Sequence, residues 1–338
     1  MKLRLIALLT AVFLLWGCSP KSPSDPTEPT QPTPPLIGIS MPGRSGNYRS
    51  QTAALTAALE AKGYRVQFEY CSGDTLLQQS QVQGLINMPV DCLVIAAYDP
   101  LTLSAILQDA DMPILAYDRM LRFCTGVSGC VAADYYDAGQ QIALYALSRY
   151  GTETRETPLT VEFLMGPPQD PNSVEFHRGV MSVLQPHLDS GALVCLSGNT
   201  LFEDVCLTGG TLEEGRDLCF DFLSDQYENT FPDILIGGND AIAEGCTEAL
   251  KGMAFSPEEA WPVVTGLGGT EDGLALLENG MLSVTAATDE ARLVEQLVLW
   301  VTALLEGTPL PENTPIHNGA EEVPSVLPKM HLITPNLG

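Results

Sequence analysis

Positive charge is what this sequence has least of: 16 Lys+Arg stand against 42 Asp+Glu, a formal charge of −26 over 338 residues. No basic stripe offsets that excess, so a phosphate backbone is repelled and nucleic-acid binding is excluded. Histidine is also scarce, at positions 177, 187, 317 and 331, and no CxxC spacing exists to build a zinc-type site. GxSxG is missing, and GLGGTEDG (266–273) does not keep the GxGxxG register. No acid-base pair stands out from an ordinary acidic surface, so neither catalysis, a metal nor a cofactor is expected. Long apolar runs are lacking too. The longest, Leu5 to Trp16, falls short of the ~20 residues a membrane-spanning helix needs.

That apolar stretch follows Lys2 and Arg4 and ends in Leu15-Trp16-Gly17-Cys18, a small residue before cysteine. The pattern resembles the lipobox of bacterial lipoproteins. The resemblance implies a signal peptide over 1–17, cleavage before Cys18, acylation of that cysteine and a lipid anchor on the extracytoplasmic face of the cell membrane. Residues 19–35 then read SPKSPSDPTEPTQPTPP. Proline at nearly every third position fixes φ and removes donors, which predicts an extended tether at ~3.1 Å per residue, roughly 50 Å in all.

From Leu36 the pattern changes to short apolar runs alternating with amphipathic stretches. Strands are expected at 36–41, 65–71, 92–97 and 113–117, and helices at 50–62, 75–88 and 100–110. After about residue 137 the rhythm restarts. Strands are expected at 158–165, 192–198, 233–238, 262–267 and 283–288, and helices near 173–188, 212–226, 240–253 and 271–279. The strongest helix pattern is 289–307, with Leu293, Leu297, Val301 and Leu304 on one face. Repeated βαβ units mean parallel sheets with helices on both faces, and about 150 residues per domain allows two.

Parallel sheets place ligand-binding groups beyond the C-terminal ends of their strands. There the sequence sets Tyr48 and Arg49, Asp99, Asp118-Arg119, Asp134, Asp170 with Asn172, and Asn239-Asp240. Asp and Asn are also the usual helix N-caps. Capping alone does not explain an arginine directly after Asp118.

With these residues the chain resembles the type I periplasmic sugar-binding proteins, most closely the multiple-sugar and xylose-binding branch. The stretches that carry the resemblance are IGISMPGRS (37–45), CLVIAAYDPLTLSAIL (92–107), PILAYDRML (113–121), GPPQDPNSVEFHRGVMSVL (166–184), ILIGGNDAIAEG (234–245) and HNGAEEVPSVL (317–327). The resemblance implies two Rossmann-like α/β lobes with parallel sheets joined by a hinge. The expected N-terminal lobe is 36–136 plus 289–312, and the C-terminal lobe 137–288 plus 313–338.

It further implies a sugar held in the cleft by Asp118 and Arg119, Asn172 and Asp240, with Asp99 and Asp134 nearer the edge and Tyr48 offering a face to sugar C–H groups. The expected role is a monomeric solute-binding lipoprotein that hands a monosaccharide, or a similar small polar ligand, to an ABC permease. Presentation of the ligand to a chemoreceptor or sensor kinase is the alternative. The departures are equally specific: Gly266-Leu267-Gly268 stands where the family has glycine-glutamine-aspartate, and Leu207 to Gly210 replaces an Arg-Trp. The lysine expected before the last long helix is missing from Ala286 to Thr288. Ordinary aldose specificity is therefore not expected.

Beyond Cys18, eight cysteines remain, an even number in an exported chain, which points to disulfides. The local pairings expected are Cys124 with Cys130 and Cys195 with Cys206. Cys71, Cys92, Cys219 and Cys246 sit in apolar patterns and read as buried thiols.

Overall fold

Aliphatic runs buried on both faces become the strands of two parallel sheets. The computed structural model describes residues 33–43, 47–150, 157–227, 231–253 and 261–335. Everything below belongs to the unit Pro34–Gly338; the signal, Cys18 and most of the tether lie outside the described residues. The first half runs β1 (Leu36–Met41), α1 (Asn47–Ala61), β2 (Arg65–Tyr70), α2 (Thr75–Ile86), β3 (Cys92–Ile95), α3 (Ser104–Leu107), β4 (Ile114–Tyr117) and β5 (Val127–Val131). The second runs α4 (Tyr135–Ser148), β6 (Leu159–Leu164), α5 (Pro171–Asp189), β7 (Leu193–Val194), α6 (Phe202–Val205), α7 (Leu212–Gln226), β8 (Ile234–Gly237), α8 (Asp240–Gly252), β9 (Val263–Leu267), α9 (Glu271–Glu278) and β10 (Val284–Ala287). The chain ends with α10 (Glu290–Glu306), β11 (Thr314–His317), β12 (Glu322–Val326) and β13 (His331–Ile333).

The first sheet has the order β11-β12-β5-β4-β3-β1-β2 and the second β13-β10-β9-β8-β6-β7. Strand order reverses at β1/β3 in one sheet and β6/β8 in the other, and ligands settle in the crevice at such switch points. Among the described residues the chain passes between sheets after β5, after β10 and between β12 and β13.

Helix α10 follows a strand of the second sheet but packs on the first, where Leu293, Leu297 and Val301 join the cluster of Ile37, Ile39 and Val94. Its Trp300 is fully buried and presses so close to β5 that a Cβ at Gly129 would sit 2.2 Å from the indole. Only glycine fits there.

Several elements differ from expectation. The helix expected at 100–110 shrinks to Ser104–Leu107, because Asp99 and Pro100 open a turn in which the Asp99 carboxylate accepts from Leu101 N. The strand expected at 192–198 is only Leu193–Val194. Helix α4 and strands β5, β11, β12 and β13 had no counterpart in the sequence pattern.

The tail was expected with the second lobe and instead divides. β12 pairs in parallel with β5, β11 adds to β12 antiparallel, and only β13 joins the second sheet, beside β10. Pro315 of the edge strand β11 faces Pro324 of β12, and edge position tolerates the donor that Pro315 lacks.

The disulfide expectation is corrected as well. All eight described cysteines are free thiols. Cys124 Sγ donates to Arg122 O at 3.3 Å, Cys195 Sγ to Glu162 Oε2 at 3.4 Å, and Cys206 Sγ to Glu203 O at 3.7 Å. Burial pushes the Cys130 thiol up to about 12 and those of Cys124 and Cys195 to about 11. Thiols so held carry little of the thiolate that disulfide exchange requires.

Candidate ligand-binding site between the two sheets

Two strand ends, one from each sheet, meet through a single ion pair. Past β4 the backbone makes a three-residue turn in which Arg119 N donates to Tyr117 O at 2.7 Å, with Asp118 at its centre at φ 64°. A positive φ is costly outside glycine and least so for Asp and Asn, and such strain is found at ligand clamps. The turn sends the Arg119 guanidinium toward the second sheet. There Nε donates to Asp170 Oδ1 at 3.1 Å and Nη2 to Asp170 Oδ2 at 2.8 Å, a two-pronged fork, while Nη1 holds Ala97 O at 3.2 Å.

Asp170 is itself the N-cap of α5 and accepts from Asn172 N at 3.0 Å, with Pro171 preset for the first helical position. Asn172 Nδ2 returns across the gap to Asp118 O at 3.1 Å, and Tyr48 OH, from α1, donates to Asp118 Oδ2 at 2.9 Å. Five predicted residues, Tyr48, Asp118, Arg119, Asp170 and Asn172, thus form one network.

Charge states follow from the surroundings. Burial pushes the Asp118 carboxyl up, the Asp170 charge adds to this, and Arg119 and the Tyr48 hydroxyl pull it back only in part. The Tyr48 phenol is raised well above its ordinary value by burial first and the Asp118 charge second, so it stays a donor. Burial works against the Arg119 charge, but Asp170, Tyr48 and Asp118 outweigh it and the guanidinium is held cationic.

Beside this network lies a cavity of about 170 Å³. Arg119, Asp170 and Asn172 line one end; Pro167, Gly238, Leu267, Gly268 and Met330 supply much of the rest. Pockets for drug-sized molecules span roughly 300–1,000 Å³. This one suits a smaller guest.

The other predicted residues lie outside this network. Asn239 lines the cavity and is also held from behind: Oδ1 caps α8 through Ile242 N at 2.7 Å and one Nδ2 hydrogen goes to Gly210 O at 2.9 Å, which leaves a second N–H. Asp240 turns away from the cleft. It is 2% exposed and accepts from Thr270 N at 2.7 Å, Thr270 Oγ1 at 2.9 Å and Thr285 Oγ1 at 2.6 Å, so it braces the β9 and β10 ends from behind.

Asp99 serves its own turn and Asp134 caps α4 through Asp137 N at 2.9 Å; neither lines the cavity. Arg49 is exposed. Tyr135, Thr288 and Met330 line the cavity without having been singled out. Tyr135 and Thr288 directly follow a helix cap and a strand end, the positions that would have exposed them.

The fold has its counterpart in known sequences. Residues 37–309 match the family described as periplasmic binding protein domain. The chain belongs to that family. Among periplasmic binding proteins it is 31% identical to the multiple sugar-binding periplasmic protein SbpA of Azospirillum brasilense, over 87% of this chain and 84% of that one. It is 30% identical to the multiple sugar-binding periplasmic receptor ChvE of Rhizobium radiobacter, over 86% and 84%. An ABC transporter solute-binding protein from Clostridium phytofermentans, solved with bound β-D-glucose, superposes with a TM-score of 0.82 at 29% identity, covering 88% of this chain and 94% of its own.

Proposed function

We propose that this protein is the extracytoplasmic solute-binding component of an ABC-type importer and captures a monosaccharide, or a similarly small polyol, between its two sheets without transforming it. The observation that carries the reading is the Arg119–Asp170 fork. A cationic donor from one sheet and a carboxylate from the other meet at the edge of a ring-sized cavity. Guanidinium and carboxylate together donate to and accept from adjacent sugar hydroxyls.

Contacts made only when the two strand ends approach favour the closed arrangement, and a guest that adds to them shifts the hinge equilibrium further. The similarity to multiple sugar-binding proteins supports the substrate class. The lipobox-like LWGC at 15–18 supports a lipid anchor at Cys18.

A thermal-shift screen of the purified protein against monosaccharides and polyols tests the reading. A raised Tm with at least one sugar, followed by recovery of that sugar unchanged, is expected; no shift with any of them contradicts it. Cys18→Ala is expected to move the protein from the membrane fraction to the medium.

A further inference from the structure

A second cavity, of about 410 Å³, lies between α10 and the strands β11 and β12, and it shares no lining residue with the cleft. One wall is a face of α10, where Arg292, Gln296 and Leu299 follow one another at i, i+4 and i+7. The other is the approach to β11 and the end of β12, with Asn313 and Ser325.

Gln296 is the informative residue. It is 6% exposed, yet its side-chain amide makes no hydrogen bond among the described residues. A covered amide left without partners is unfavourable. Neither of its polar atoms is sealed off, however, and the residue lines the cavity, so that is where the amide opens. Its neighbours have capacity to spare. Ser325 Oγ donates to Val323 O at 2.9 Å and can still accept, while Asn313 Nδ2 donates to Pro311 O at 2.8 Å and its Oδ1 accepts nothing among the described residues. Arg292 spends Nη1 on Glu295 Oε2 at 2.5 Å, which leaves Nε and Nη2.

The chemistry of the guest follows. Glu295 pairs with Arg292 and Glu312 stands on the same rim, so an anion finds no excess of positive charge, and the guanidinium opposes a cation. Amide and hydroxyl groups beside Leu299, Pro311, Val326 and Leu327 suit a neutral molecule with hydroxyl edges and apolar C–H faces. The volume is more than twice the cleft's 170 Å³ and falls in the ~300–1,000 Å³ range of small-molecule sites. We propose that this cavity is a second carbohydrate site, for a neutral disaccharide. Gln296 binds a pair of neighbouring hydroxyls, and Leu299, Pro311 and Val326 carry a ring face.

Isothermal titration of the full-length protein with maltose, sucrose and trehalose tests the inference. At least one of the three is expected to bind, and Gln296→Leu, of similar bulk, to weaken it at least about tenfold. Arg292→Ala lies on the exposed rim, where folding is not at stake, and is expected to weaken it several-fold. Arg119→Ala, which disables the cleft, should leave disaccharide affinity within about twofold, and Gln296→Leu should leave monosaccharide affinity equally unmoved. No binding by any of the three disaccharides, or binding unmoved by both Gln296→Leu and Arg292→Ala, overturns the second site. Loss of disaccharide binding in Arg119→Ala puts that sugar in the cleft and overturns it too. Each of these outcomes leaves the monosaccharide reading standing, which the thermal-shift screen decides separately.

Discussion

Asp118 and Asp240 occupy matching places, each just past a central strand of its own sheet, and the structure uses them in opposite ways. Asp118 stands in a strained turn at φ 64° and belongs to the network that spans the cleft. Asp240 opens a regular helix with its carboxylate turned inward, where Thr270 and Thr285 supply three hydrogen bonds. The surroundings decide. Gly266 and Gly273 leave room behind β9, since a Cβ on either would come within 2.4 Å of the Asp240 carboxylate. Around Asp118 the neighbours are instead a phenol, a guanidinium and a second carboxylate from three separate elements. A strand-end aspartate joins the cleft-spanning network only where the fold turns its carboxylate toward partners from other elements.

The contrast is easiest to break at Asp240. Asp240→Ala strands the buried Thr285 hydroxyl and frees the Thr270 hydroxyl and N–H, and hydrogen bonds to a charged group contribute ~1.5–3 kcal/mol each. A loss of about 3 kcal/mol in denaturant unfolding is expected, with ligand affinity changing far less than it does in Arg119→Ala.

Arg119→Ala should do the reverse. Affinity falls at least about a hundredfold, ~2.7 kcal/mol by titration, while the midpoint of unfolding moves little, since Asp170 keeps its N-cap bond to Asn172 N.

Asp118→Asn separates binding from stability. An acid whose folded pKa is raised binds more protons in the native state, so its contribution to stability declines as pH climbs from the ordinary carboxylate value toward the raised one. Removing the charge is therefore expected to raise Tm at pH 7 and to flatten that decline, while affinity drops about tenfold because a charged acceptor is gone. For the native protein the same titration predicts that affinity is lost on acidification at a higher pH than an ordinary aspartate, ~3.9, would dictate.

Arg49→Ala has the smallest expected effect. The residue is exposed and outside the cavity, and affinity should stay within about twofold by titration.

Much of the scaffold was legible because parallel strands buried on both faces read as unbroken apolar runs, as in CLVI of β3 and ILIG of β8. Helix α4 was not, since four of its five buried residues, Ala138, Gly139, Ala143 and Ala146, are too small to mark an apolar stripe and Ile142 stands alone among them. The tail strands were lost for a related reason: they are short, and β11 and β12 are interrupted by Pro315 and Pro324.

At the site, Asp118-Arg119 stood out because a forked cation beside a carboxylate exceeds what a helix cap needs. Asp170 and Asn172 followed from their place at the start of α5. Position along the chain does not reveal direction, and the hydrogen bonds that orient Asp240 and Asn239 are set by neighbours remote in sequence. Their partners Thr270, Thr285 and Gly210 are distant in sequence and converge only in the folded chain.

The decisive measurement is a crystal structure of the protein with its tightest-binding monosaccharide. The sugar ring is expected between Arg119 and Leu267, within hydrogen-bond distance of Arg119 and Asn172, with Asp240 still bonded to Thr270 and Thr285. A ring bound outside that gap, or one whose hydroxyls are held by Asp240, contradicts the account.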